Sequence, residues 1–159
     1  MNEPRDPLPD AEAIAQSVYR AMEANDRVFI HYAMRALEVG PGRCVLEMDV
    51  REDMLNGHDV CHGGVLFALA DTAFAVACNS HNRVALAAGA EVSFVAPARV
   101  GERLRAEASE RVVRKRTGIY DVTVTGQDGR LVALFRGRAH RLDVKVVDGL
   151  PAASEGDTR

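Results

Sequence analysis

A single carboxylate interrupts the most apolar stretch of this chain. Between Val65 and Cys78 every residue is apolar except two neighbours, Asp71 and Thr72. A charge in such surroundings is paired, hydrogen-bonded or neutralised, so Asp71 needs a chemical explanation. Ahead of the run stand Asn56, His58, Cys61, His62 and the pair Gly63-Gly64. Glycines at a helix start let a ligand approach free backbone N–H groups that carry partial positive charge. Such an N–H, aimed at a carbonyl oxygen, stabilises the negative charge that develops there during nucleophilic attack. Gly63 and Asp71 thus offer an oxyanion donor and a carboxylate. The helical rise separates them by roughly 12 Å, too far to flank one reacting carbon. Across antiparallel helices of a dimer that separation closes, which predicts a site shared between subunits.

Plainer readings of the same residues exist, and on residues alone they weigh more. A Gly-Gly at a helix entry is often only a tight turn, and a lone buried Asp can bond a backbone or hydroxyl group. His58 and His62 are four apart, but Gly57, Gly63 and Gly64 interrupt the helix that would align them, so no metal site is expected. Cys61 and His62 are adjacent, and adjacent side chains seldom point together as a nucleophile and its base must. His31, His81 and His140 are expected at the surface or an edge. Arg114, Lys115, Arg116, Arg136, Arg138 and Arg141 suit solvated strand faces, or receive phosphates.

The elements that must hold these residues follow from periodicity. Asp10 or Ala11 starts an amphipathic helix to about Asn25, with Ile14, Val18, Ala21 and Met22 on one stripe. Residues 28–34 read equally as strand or helical turn. A strand at 35–39, the turn Gly40-Pro41-Gly42 and an alternating strand through Val50 form a hairpin. The run around Asp71 is apolar nearly all round, which implies a central helix with no solvent face. Residues 84–96 are rich in small apolar residues and suit a long central strand; strands from Gly101, around Tyr120 and from Arg130 to about Leu142 complete a meander, with Gln127-Asp128-Gly129 as a turn. Strands that outnumber one buried helix imply an α+β arrangement, a curved antiparallel sheet wrapped around that helix. The small-residue strand further suggests a second subunit packed nearby.

Composition sets the outer bounds. A chain of 159 residues fits one domain, and 47% apolar with 27% charged residues is ordinary for a globular protein. A net charge of -3 leaves no nucleic-acid footprint. The apolar run is too short for a bilayer, which needs about 20 residues. No secretory signal opens the chain, so a cytoplasmic location is expected. Three cysteines without a CxxC pair imply reduced thiols. Residues 1–10 are expected to be a mobile leader, 11–143 one domain, and 144–159, which lacks core residues from Asp148 on, a disordered tail.

The segments LNGHDVCHGGVLFALADTAFAVACNS, GIYDVTV and LVALFRGRAHR together resemble the hotdog-fold acyl-CoA thioesterases of the phenylacetic acid degradation type. The resemblance spans about Met34 to Leu142. It implies a homodimer with shared active sites, and a homotetramer built from two dimers. It places the catalytic carboxylate, as general base or nucleophile, on Asp71, and the carbonyl-polarising amide on Gly63. Asn56 and His62 fall on polar positions that hold the thioester or the water. Gly64, Thr72 and the basic residues Arg114, Lys115, Arg116, Arg136 and Arg138 become candidates for binding substrate and its coenzyme A phosphates. No metal or redox cofactor is implied, since coenzyme A enters as part of the substrate. The substrate would be a small, aryl-acetyl or ring-hydroxylated aryl-acetyl thioester. Some relatives carry an assisting Ser or Thr on the strand after the helix; Ala85 to Ala90 offers neither. The rival readings are a hotdog hydratase or dehydratase, which uses a different motif, and a non-catalytic acyl-CoA sensor.

Overall fold

A computed structural model describes residues 9–153. The Asp10 side chain accepts the Ala13 N–H (2.7 Å) and starts helix α1, Ala11–Glu23, which buries Ile14, Ala15 and Val18. Asp26 caps a second, short helix, α2, Arg27–His31, which settles the ambiguous stretch as helical. Strands β1 (Arg35–Gly40) and β2 (Arg43–Asp49) form the expected hairpin. A 3-10 turn, Glu52–Met54, and a loop lead into the long helix α3, Gly63–Asn79. Then come β3 (Ala85–Phe94), β4 (Arg103–Arg114), β5 (Thr117–Gly126) and β6 (Leu131–Arg141).

All six strands make one antiparallel sheet in the order β1-β2-β4-β5-β6-β3. Its concave face wraps α3, the architecture of the hotdog fold. Leu69, Ala70, Ala73 and Ala77 are fully buried against it. Phe74 meets the rings of Tyr120 and Phe135 at 5.6 and 5.7 Å between centroids. That close seat requires Gly137, because a Cβ there would stand 2.8 Å from the Phe74 ring. Removing a buried ring of this kind costs about 3–5 kcal/mol, so α3 is held chiefly by its inner face. Among the described residues no helix is long and apolar enough to cross a membrane.

Four expectations need correction. The strand over 84–96 is not central: β3 lies at the sheet's edge, paired only with β6, with Leu86 and Phe94 more than half exposed. Only β4, β5 and β6 form a meander, because the chain passes over β6 and β5 between β3 and β4. Helix α3 does have an open side: Gly64, Phe67, Ala68, Asp71 and Ala75 lie on one stripe that stays partly exposed, at the three-to-four-residue spacing of a single helix face. The segment after β6 packs on the fold as far as it is described. Asn82, fully buried, bonds Val147 through both its amide and its carbonyl, and donates to the carbonyls of Leu150 and Pro151. Ala153 joins Ile14 and Val18 in a small apolar cluster. Residues 1–8 and 154–159, the rest of the expected leader and tail, lie outside the described residues.

Candidate active site

The loop before α3 is closed by its own backbone and by Asn56. The Asn56 Oδ1 accepts the His58 N–H (2.9 Å) and the Val60 N–H (3.4 Å), while the Asn56 N–H donates to the Val60 carbonyl (2.9 Å). The loop is pinned outward as well: Cys61 N–H donates to the Ala98 carbonyl (2.7 Å) and His62 N–H to that of Met54 (2.8 Å). The oxygen of Asn56 is thus committed to the loop. Its Nδ2 has no acceptor among the described residues, and Asn56 borders a cleft of about 330 Å³ with Gly63, Leu66 and Phe94.

His62 is the N-cap of α3. Its Nδ1 accepts the Gly64 N–H at 2.9 Å, so in this bond the ring proton sits on Nε2. The His62 carbonyl accepts from Val65 (2.9 Å) and Leu66 (3.2 Å). One donor of the first turn remains. The Gly63 N–H has no acceptor among the described residues, and Gly63 lines the cleft. Phe94 closes over the same glycine, its ring 3.0 Å from where a Cβ would stand. His58 is exposed and does not join His62. Among the described residues no group of three or more His, Cys, Asp or Glu is clustered as a metal requires.

Asp71 sits midway along α3 on the open stripe, half-buried and without a hydrogen bond or ion pair among the described residues. Burial pushes its carboxyl above the ordinary aspartate range, and the negative charge of Asp26 adds to the shift. An unpaired carboxylate of raised basicity beside an apolar surface is suited to take a proton. Thr72 is buried at 6% exposure and does not belong to the open stripe. Gly63 and Asp71 share one helix, so its rise holds them apart at the roughly 12 Å set by eight steps.

The five basic residues fall into two sets. Arg136 forks onto Asp121 (2.6 and 2.9 Å), which Arg111 also grips (2.7 Å), and these guanidinium bonds, Arg136 first, hold the Asp121 carboxyl down at about 2. Arg116 pairs with Asp143 at 2.7 Å. Arg114, Lys115 and Arg138 are exposed and have no carboxylate partner among the described residues; Arg138 lies across Gly89 of β3.

A polar cluster at the far end of α3 went unread in the sequence. His81 is buried, not at the surface, and its Nε2 meets the Glu110 Oε2 at 2.8 Å, which also accepts the Tyr120 hydroxyl proton at 2.9 Å. Burial alone would raise the Glu110 carboxyl; the bonds from His81 and Tyr120 and the charge of Arg141 hold it below its ordinary value. Arg141, expected on a solvated strand face, is itself only 1% exposed. No local pattern links these residues, which come from a helix end and three strands.

Residues 58–133 match the family described as the Thioesterase superfamily. The acyl-coenzyme A thioesterase PaaI of Escherichia coli is 43% identical over 122 residues, covering 77% of this chain and 87% of that protein. A putative esterase of Archaeoglobus fulgidus is 39% identical over 122 residues, 77% of this chain and 79% of its own. Among solved structures, Escherichia coli PaaI superposes with a TM-score of 0.84 at 40% identity, covering 86% of this chain and 99% of that one. A mutant PaaI from Thermus thermophilus gives 0.71 at 38%, covering 74% and 100%.

Proposed function

This chain belongs to the thioesterase superfamily, as a hotdog-fold acyl-CoA thioesterase of the PaaI type, and from that premise we propose that it hydrolyses a small aryl-acetyl-CoA to the free acid and coenzyme A. The supporting observation is the one uncommitted N–H of α3, that of Gly63, a residue that lines an apolar cleft, with an unpaired basic carboxylate on the open face of the same helix. Asp71 removes a proton from water as the water oxygen attacks the thioester carbonyl carbon. The carbonyl oxygen, now negative, is held by the Gly63 N–H. When the C–S bond breaks, the sulfur leaves as the coenzyme A thiolate and takes up a proton. In the alternative course Asp71 attacks directly, and water then hydrolyses the mixed anhydride. His62 and the Nδ2 of Asn56 border this reaction, His62 by holding Gly64 and so aiming its neighbour. Water is the only co-substrate, and no metal or redox group takes part.

The donor and the carboxylate at one reacting carbon come from two subunits. The exposed β3 edge carries unpaired backbone groups, the usual template for adding a strand. Two β3 strands pairing antiparallel would bring Phe94 and Gly63 of one protomer toward the Leu86 end of the other. Leu86 lies opposite His140, and Arg138 opposite Gly89, on that same end. Arg138, Arg114 and Lys115 of the partner subunit are therefore the cations best placed for the coenzyme A phosphates, ahead of Arg136 and Arg116, which are already paired. Two such dimers would make the tetramer. The deciding experiment follows thiol release from a panel of acyl-CoA esters by the wild type, Asp71→Asn and Asp71→Ala. Full activity in the variants would sink the role of Asp71. Binding without thiol release by the wild type would favour a sensor.

A further inference from the structure

Phe94 is an odd residue for its place. It is the last residue of β3 and pairs with Ala133, which turns its side chain to the concave side of the sheet, toward α3. Aromatic side chains on that side of the sheet otherwise seal into the core, as Tyr120 and Phe135 do at 0% and 3% exposure. Phe94 instead remains 55% exposed. Its ring edge lies over Gly63, with Cζ, Cε2 and Cε1 at 3.0, 3.2 and 3.4 Å from the point where a Cβ would begin. Position 63 is thus glycine for a reason beyond the free N–H: any side chain would push the ring away.

The ring also forms a wall of the cleft that Gly63 lines, and it is the only aromatic there among the described residues. The other walls are aliphatic or sulfur-bearing, chiefly Val60, Cys61, Leu66, Val95 and Pro97. Cys61 is a neutral wall and no rival nucleophile, because burial pushes its thiol up to about 11. A carbonyl oxygen bonded to the Gly63 N–H carries its α-carbon into this space. A flat ring attached to that α-carbon would come within the 4.5–7 Å centroid range at which aromatic pairs attract, edge to face or offset. An alkyl chain gains area there but no ring–ring term, and a branch at the α-carbon runs into the Phe94 edge.

We propose that Phe94 selects the acyl group, favouring aryl-acetyl thioesters and excluding α-branched ones, by presenting its exposed ring beside the Gly63 amide. The proposal rests on the acyl-CoA reading above but can fail independently of it. The test measures kcat/KM for phenylacetyl-CoA, for octanoyl-CoA of equal carbon count, and for 2-phenylpropanoyl-CoA, on the wild type and on Phe94→Ala, Phe94→Leu and Phe94→Tyr. Ratios of two substrates on one sample cancel any loss of folded or assembled protein. The wild type should prefer phenylacetyl- over octanoyl-CoA, and Ala and Leu should lower that ratio about 2–10-fold, while Tyr keeps it. Phe94→Ala should also raise the relative rate on the α-branched ester. Unchanged ratios in Ala and Leu, or a wild type that hydrolyses both esters without preference, would overturn the role of Phe94 alone. If no ester releases thiol from the wild type, the thioesterase reading falls and this one with it.

Discussion

The two ends of α3 carry similar chemistry and use it in opposite ways. Each has a histidine beside the helix terminus and an amide side chain close by. At the C-terminal end these groups close on the protein. Asn79 bonds both the N–H and the carbonyl of Ala85, Ser80 joins the Gly42 N–H to the Ala77 carbonyl, and His81 docks on Glu110. At the N-terminal end, His62 and Asn56 satisfy their own loop and leave the Gly63 N–H and the Asn56 Nδ2 without an acceptor among the described residues, on two residues that line a cleft. A polar group that finds its partner inside the fold contributes stability; one held in place without a partner is available to a ligand.

That contrast can be broken from either end. The largest effect should follow Asp71→Asn, which lowers kcat/KM by about 10²–10⁴-fold as expected for loss of a general base. The same variant should unfold at a higher temperature. Burial raises the Asp71 pKa in the folded state, so the folded protein binds the proton more tightly, and stability falls as pH rises from the unfolded toward the folded pKa. A neutral amide removes that cost at pH 7, and a lowered melting point would contradict the assignment of Asp71 as unpaired. At the sealed end Glu110→Gln should cost about 2 kcal/mol in urea unfolding and leave kcat/KM per folded molecule intact. Because the Glu110 pKa is depressed below 4.5, its contribution is present above that pH and is lost as pH falls through the folded value. The difference between wild type and variant should therefore shrink in acid.

Smaller effects sharpen the open end. His62→Ala removes the acceptor of the Gly64 N–H and should cost about 1 kcal/mol, which His62→Asn, still able to cap, should largely restore. Calorimetry on the three proteins checks this. Smallest of all, Asp26→Asn keeps the cap on α2 yet removes the charge that adds to the Asp71 shift. The acid limb of kcat/KM, which in the wild type should lie above the ordinary aspartate range, should move slightly down. A limb that stays put would mean that burial alone sets the basicity of Asp71.

What could be read beforehand follows from range. The helix around Asp71, its GG entry and the alternating strands are local patterns, and each has its physical counterpart at the expected residues. The position of β3 is not local. Its apolar, small-residue run reads as covered on both sides, as it would be with a second copy paired to it as proposed, yet within one protomer it is an edge. Periodicity could suggest that α3 is buried but not that the stripe through Phe67, Asp71 and Ala75 stays open, since Phe67 is as apolar as Phe74. His81 looked superficial because its partner, Glu110, lies 29 residues on and bears no motif. The basic residues could be listed but not sorted, since only geometry assigns Asp121 to Arg136.

The burial of Asn82 bears on the order in which the chain can finish folding. Its backbone takes a left-handed φ of 57°, and its amide group is satisfied by Val147, Leu150 and Pro151, more than sixty residues later. Until those residues leave the ribosome, the helix end holds a polar side chain with its partners still unmade. The sheet and α3 can collapse earlier around Phe74, but the turn from helix to β3 is completed only when the segment that follows β6 has emerged.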